Sequence, residues 1–249
     1  MIAIIGGSGL TGLANLEITH RRIVRTPYGE PSGPLTFGKI GTREAVFLAR
    51  HGYGHTLAPH EINYRANLWA LNAQQVKRVI SVCTVGAISP DLKAGMTALP
   101  DQIIDYTWGR PSTYFEGAEQ PVTHIDFTYP YDEETRRMAI EAAKEARVPL
   151  FVGGTYAATQ GPRLETKAEI DRFERDGATM VGMTGMPEAA LARELKLPYA
   201  ALAVVVNPAA GRGASARAVA IEDIARVVEE TMGGVRLIVA KLVERHGNS

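Results

Sequence analysis

The sequence predicts an α/β protein, a single domain over residues 1–249 with a central mixed β-sheet flanked by helices on both faces. Three observations predict it. Short apolar runs alternate with longer, helically spaced stretches through the second half of the chain. Glycine-rich or polar loops follow the ends of those runs. No linker, repeat or low-complexity tract divides the 249 residues, a length that α/β folds commonly fill as one unit.

The elements follow in order. Residues 1–5 are an apolar run delivered into Gly6-Gly7-Ser8-Gly9, a buried strand ending in a glycine turn. Residues 13–25 lack helical amphipathicity and lead into a loop at 26–31. Residues 35–40 and 44–50 are strand-like and joined by Gly41-Thr42, which predicts a hairpin running into Arg50-His51-Gly52. After Pro59, Ile62, Ala66, Leu68, Trp69 and Leu71 recur at helical spacing, predicting a helix over 61–75. A β-branched strand over 79–85 ends at Gly86. Acidic residues open a helix at 132–147, which stops before Pro149. Strands are predicted at 148–156, 179–183 and 199–206, and helices at 166–175, 187–195 and 222–244.

Composition narrows the function. Lys plus Arg and Asp plus Glu both total 27, so the formal charge is zero and no basic excess is available to hold nucleic acid or an anionic membrane. With 45% hydrophobic and 22% charged residues the chain can bury a core. The most apolar stretch, 199–206, is less than half of the roughly 20 residues a membrane helix needs. A single cysteine, Cys83, allows no intrachain disulfide, and no basic leader opens the chain; a cytoplasmic enzyme is the expectation.

Two motifs invite other chemistry. Gly7, Gly9 and Gly12 spell GxGxxG after a strand, but no helix pattern and no second strand with its acidic residue follow, as a dinucleotide site requires. The glycines license a turn with exposed N–H groups, beside which Ser8 adds a hydroxyl; a plain tight turn is the competing reading. His51, His55 and His60 suggest zinc, yet Gly52, Gly54 and Pro59 keep the segment irregular and Arg50 would repel a cation. No metal is expected. Arg50 beside His51 suits an oxyanion instead.

Five segments taken together resemble the trimeric nucleoside phosphorylases, the purine nucleoside and methylthioadenosine phosphorylases. They are Ile4 to Leu10 (IIGGSGL), Leu48 to Gly52 (LARHG), Asn63 to Leu71 (NYRANLWAL), Gln160 to Thr166 (QGPRLET) and Gly182 to Glu188 (GMTGMPE), in order across almost the whole chain. The resemblance implies phosphorolysis of a nucleoside to a free base and a ribose 1-phosphate, with phosphate as co-substrate and no metal or organic cofactor. It places phosphate among Ser8, Arg50, His51, Thr184 and the backbone near Thr84, where a dianion needs preorganised donors. Met183 would lie under the ribose, although a methionine is also ordinary core filler.

Three further positions are read against members of the family. Glu165 matches the glutamate of oxopurine enzymes, where adenine-specific relatives carry serine. A carboxylate accepts from N1–H of hypoxanthine but faces a lone pair on adenine, and an unpaired buried acceptor costs roughly 1–3 kcal/mol or more. The competing role for Glu165 is a helix-start carboxylate. Asn207 matches the asparagine of oxopurine enzymes, which donates to N7 of the leaving purine; a turn-starting Asn-Pro is the alternative. A second aspartate of the adenine enzymes falls at Ala209. At the 5′ end of the sugar, Ile221 and Ile224 replace the usual histidine and suit a methylthio group, unless they are only a core-facing stripe.

The resemblance therefore implies a nucleoside with an oxopurine base and a methylthio tail, acting in purine and methylthio-nucleoside salvage. A general oxopurine (inosine or guanosine) phosphorylase, a methylthioadenosine phosphorylase and an inactive nucleoside-binding relative stay open. It also implies a homotrimer, with His124 reaching across the subunit boundary.

Overall fold

The computed structural model describes residues 1–10, 13, 15–118 and 121–246; Gly12, the last glycine of the GxGxxG motif, lies outside them. In chain order the elements are β1 (Ile2–Gly6), β2 (Glu17–Arg22), β3 (Leu35–Ile40), β4 (Arg43–Ala49), α1 (Tyr64–Ala73), β5 (Arg78–Ala87), β6 (Thr97–Leu99), β7 (Gln102–Asp105), α2 (Glu133–Ala146), β8 (Leu150–Val152), β9 (Thr155–Ala158), α3 (Lys167–Arg175), β10 (Met180–Gly182), α4 (Glu188–Glu194), β11 (Tyr199–Pro208) and α5 (Ile221–His246).

All these strands join one mixed sheet. β1 runs parallel to β4 and β5, and β11 runs parallel to β5. The C-terminal ends of these four strands consequently face one edge, the place where open α/β sheets hold ligands. β5 is the axis, because it pairs with β1 and β11 and, at its last residues, with β10 in antiparallel sense.

Alternation along the central strands splits the core in two. Ala3, Ile5, Val79, Cys83 and Ala201 pack with Leu68 and Leu71 of α1 and Leu191 of α4. Ile2, Ile4, Ile80, Val82 and Ala200 pack on the other face with Ala139 and Ala142 of α2 and Ile238 and Leu242 of α5. Both faces of each strand are buried, so the strands read as continuous apolar runs. The helices lie on both faces, as the sequence predicts.

Helix ends follow local capping chemistry. Asn63 accepts from the Ala66 N–H and starts α1 three residues later than the spacing alone predicts. Asp132 caps α2, and Thr166 with Glu169 forms a capping box on α3.

Three strand predictions need correction. The single strand at 148–156 is two strands, β8 and β9, because Gly153 and Gly154 take φ of 100° and 102°, a conformation no extended strand holds. β8 pairs with β6 while β9 pairs with β10 and β7. Residues 13–25, to which the sequence reading assigns no element, contain β2, whose residues are all exposed and which therefore carries no apolar pattern. β6 and β7, three and four residues long, also escape the periodicity. Among the described residues no helix is long and apolar enough to cross a membrane.

Candidate active site

The converging strand ends enclose a cavity. Its wall includes Ser8, Arg50, His51, Thr84 and Thr184 together with Glu165, Met183, Asn207, Ala209 and Ile224. Most come from a strand or the loop just after it: Ser8 after β1, Arg50 after β4, Thr84 on β5, Met183 and Thr184 after β10, Asn207 on β11; Glu165 stands just before the α3 cap and Ile224 lies on α5. Residues far apart in sequence meet because β1, β4, β5 and β11 run parallel and β10 joins the end of β5 in antiparallel sense.

The turn after β1 explains its glycines. No helix follows it among the described residues; the next element is β2. A side chain at Gly7 would stand 2.6 Å from the Val82 carbonyl and 2.9 Å from Arg50 Nη1. The backbone thus runs directly against the guanidinium, an approach only glycine permits.

Arg50 is fully buried. Its Nε donates to Glu188 Oε2 at 2.7 Å and its Nη2 to Glu188 Oε1 at 3.0 Å, a bidentate pair. Nη2 also donates to Ser81 Oγ at 2.5 Å, and Nη1 donates to the Val82 carbonyl at 3.0 Å. Glu188 Oε1 further accepts from Ser81 Oγ at 2.6 Å and from Tyr199 Oη at 2.8 Å. Burial alone would disfavour the Arg50 charge, but the Glu188 carboxylate outweighs it and holds the guanidinium above its ordinary value. Of the five N–H groups of Arg50, one on Nη1 has no partner among the described residues, and Nη1 is the atom that abuts Gly7.

Sequence reasoning treats Arg50 as an anion receptor and misses this partner. The available signal is a carboxylate directly after Pro187, opening a helix otherwise faced with alanine and leucine.

His51 Nδ1 lies 2.8 Å from the Leu57 carbonyl. A carbonyl only accepts, so Nδ1 carries the hydrogen. Burial, with the Arg50 charge adding to it, lowers the imidazole to about 4 from an ordinary 6.5. The ring is neutral at pH 7, and Nε2 is an acceptor. This corrects the expectation of an imidazole donor beside Arg50. The His55 ring lies against His51, tilted by 33° with centroids 4.4 Å apart. Among the described residues no group of His, Cys, Asp and Glu is arranged to hold a metal.

The histidine sets a pH dependence. Between about 4 and 6.5 the unfolded chain binds the proton and the folded chain does not, so stability rises with pH across that window and declines on acidification. Chemical denaturation at pH 7, 5.5 and 4.5 should show a shallower pH slope in His51→Gln than in the parent; equal slopes would remove His51 as the cause.

At the other end of the cavity, the register of β11 against β5 shifts so that Val205 faces Val85 but Asn207 faces Gly86. The bulge at Val206 turns Asn207 to the face opposite the one strict alternation would give it. Its Nδ2 donates to the Pro208 carbonyl at 2.5 Å, leaving the second amide hydrogen. Glu165 precedes the Thr166 cap, so it is not a helix-start carboxylate; Glu169 fills that role. Glu165 Oε1 accepts from Thr159 Oγ1 at 2.7 Å. Glu165 and Arg50 are the only acidic and basic residues among the described lining besides the neutral His51. Cys83 also lines the wall, and burial pushes its thiol up to about 12, so it stays protonated.

Two of the residues named from the resemblance do not line the cavity of this chain. Ile221, the first residue of α5, is 66% exposed and does not line it; Val219 lines the cavity together with Ile224. His124 is exposed and away from the cavity.

A second residue missed by sequence reasoning is Arg110, which is buried. Its Nη1 donates to the carbonyls of Met183 at 2.9 Å and Met186 at 2.6 Å, and its Nη2 to those of Thr159 at 3.2 Å and Gln160 at 2.8 Å. One guanidinium thus ties the loop after β9 to the loop after β10. Nothing in the WGRPS segment signals this.

This geometry has close counterparts. The chain is 48% identical over 241 residues to a probable S-methyl-5′-thioinosine phosphorylase of Pseudomonas syringae pv. tomato, covering 97% of both chains. It is 48% identical over 215 residues to a 6-oxopurine nucleoside phosphorylase of Pyrococcus furiosus, covering 84% of this chain and 80% of the relative. The fold superposes with a TM-score of 0.95 on a methylthioadenosine phosphorylase of Schistosoma mansoni in complex with adenine, at 30% identity, covering 100% of this chain and 92% of that one. The sequence model of the phosphorylase superfamily matches residues 1–244, spanning every strand that builds the cavity, and the chain belongs to that superfamily.

Proposed function

We propose that this enzyme phosphorolyses S-methyl-5′-thioinosine to hypoxanthine and 5-methylthioribose 1-phosphate. The observation that carries the reading is the charge content of the cavity: Glu165 is the only carboxylate among the described lining, with Asn207 and Ala209 where an adenine reader would place aspartates. Val219 and Ile224 supply an apolar wall for a methylthio group. The identity with named methylthioinosine phosphorylases supports the same choice.

In this reading phosphate takes the Arg50 Nη1 hydrogen, the Ser8 turn and Thr184, with Thr84 beside them. Because Glu188 neutralises Arg50 and His51 is uncharged, the anion is held by oriented donors, and a protonated phosphate oxygen donates to His51 Nε2. A phosphate oxygen attacks C1′ while the bond to N9 breaks, and the electron pair passes to the purine. Glu165 accepts from N1–H, Asn207 donates toward N7, and Met183 lies beneath the sugar. Phosphate is the co-substrate, and no cofactor or metal takes part. A homotrimer with His124 at the subunit boundary, a single domain over residues 1–249 and a cytoplasmic location complete the proposal; nucleic acid and membrane are not partners.

A second reading is a general 6-oxopurine nucleoside phosphorylase. The exposure of Ile221 favours it, since one of the two expected contacts to the tail is missing, as does the Pyrococcus furiosus relative. A phosphate-dependent comparison of methylthioinosine, methylthioadenosine and inosine decides. Methylthioinosine is expected to give the highest kcat/KM; a higher value for inosine establishes the second reading, and one for methylthioadenosine defeats both. Asn207→Ala is expected to lower kcat by about 10²-fold, the scale of losing one transition-state donor, with little change in the KM for phosphate. An unchanged kcat would take Asn207 out of the mechanism.

A further inference from the structure

We infer that Thr159 is a positioning residue for base selection, its hydroxyl latching the Glu165 carboxylate at the base end of the cavity. The inference rests on the reading of Glu165 as the acceptor for an oxopurine N1–H and deepens it.

Thr159 follows β9 and is 8% exposed. Its backbone N–H donates to the Gly182 carbonyl at 2.8 Å, and its own carbonyl is held by Arg110 Nη2 at 3.2 Å, so the residue is fixed at both backbone groups. The hydroxyl lies 2.7 Å from Glu165 Oε1 and 3.3 Å from the Gly182 carbonyl. Both neighbours are acceptors, the hydroxyl has one hydrogen, and the shorter contact to the charged oxygen takes it. Among the described residues this is the only hydrogen bond that Glu165 makes.

That single bond matters because Glu165 has two places to go. It is half-buried and lines both the main cavity and an outer recess bounded by Tyr106, Trp108, Arg163 and Arg172. Two guanidinium groups border the recess. Each is already paired: Arg163 with Glu169 through both carboxylate oxygens, and Arg172 with Asp176 at 3.5 Å while lying over the Tyr106 ring at 5.4 Å. A carboxylate released from Thr159 would be free to rotate into this recess and away from the base. The chain thus orients its base-reading carboxylate with a neutral donor from the strand end and keeps its second oxygen for the ligand. A base that donates at N1 gains from this arrangement, and a base with a lone pair there does not.

The test is Thr159→Val, which keeps the side-chain shape and removes the hydroxyl. The ratio of kcat/KM for methylthioinosine over methylthioadenosine is expected to fall by about tenfold or more, the scale of one charge-assisted hydrogen bond. The KM for phosphate should stay within about twofold, since the hydroxyl contacts only Glu165 and the Gly182 carbonyl and none of the side chains placed around phosphate, and Thr159→Ser should restore the ratio. If Thr159→Val does not fold, Thr159→Ala is read in the same way. An unchanged ratio, or an equal fall for both substrates, overturns the latch while leaving the reading of Glu165 intact, provided that the parent enzyme prefers the oxopurine. A parent enzyme without that preference overturns the reading of Glu165, and the latch with it.

Discussion

Replacing Glu188 by alanine is expected to lower folding stability by about 3–5 kcal/mol and to abolish most phosphate-dependent turnover, because it leaves the fully buried Arg50 charge without its counter-ion. Arg50→Met should destabilise by a similar amount, since Glu188 then keeps only the hydroxyls of Ser81 and Tyr199. The double variant Arg50→Met/Glu188→Leu separates the two roles. A buried ion pair exchanged for well-packed apolar groups is often neutral in stability, so the double variant should recover most of the loss and still fail to turn over with phosphate. Denaturant unfolding at pH 7 combined with phosphate titration of the activity makes the measurement. A loss below about 1 kcal/mol for Glu188→Ala would mean that the pair is not the anchor the geometry describes.

Glu165→Ala is expected to lower kcat/KM for the oxopurine nucleoside by about 10²–10⁴-fold, because the N1–H of the base then enters a site with no acceptor. The aminopurine nucleoside should lose far less, since it never used the carboxylate. The ratio is the informative quantity: a general disturbance of the loop after β9 would depress both substrates together. Steady-state rates at saturating phosphate give it, and an equal fall for both would remove Glu165 from base selection. Its contrast with Thr159→Val separates loss of the acceptor from loss of its orientation.

The effects expected at Glu188 and Glu165 differ in how far the sequence announces them. Arg50 and His51 stand out as an anion-binding pair from their adjacency alone, and Glu165 and Asn207 from the segments that carry the family resemblance. Their partners do not. Glu188 lies 138 positions from Arg50, and Arg110 lies 73 positions from the Met183 carbonyl it holds. Such pairings arise only when the sheet brings distant strands and the segments after them together, and no local pattern encodes them. His51 shows the same limit: its position is legible, but its protonation follows from the Leu57 carbonyl and from burial.

Within the fold, the strands buried on both faces were legible because continuous apolar runs and helical spacing are local properties. β2 was not, since an exposed edge strand has no apolar code, and neither was the break at Gly153-Gly154, where backbone conformation overrides a favourable run of residues. Ile221 and Ile224 illustrate the boundary most directly. Their spacing places them on one side of a helix, but which of them meets the cavity depends on where α5 begins relative to the sheet, and the helix starts at Ile221 itself. The sequence by itself determined the element types, the α/β class and the residue types available for binding phosphate and a purine. Only the tertiary structure decided which charges are neutralised, which face Asn207 takes and what holds Glu165, because these depend on the register and burial of segments distant in the chain.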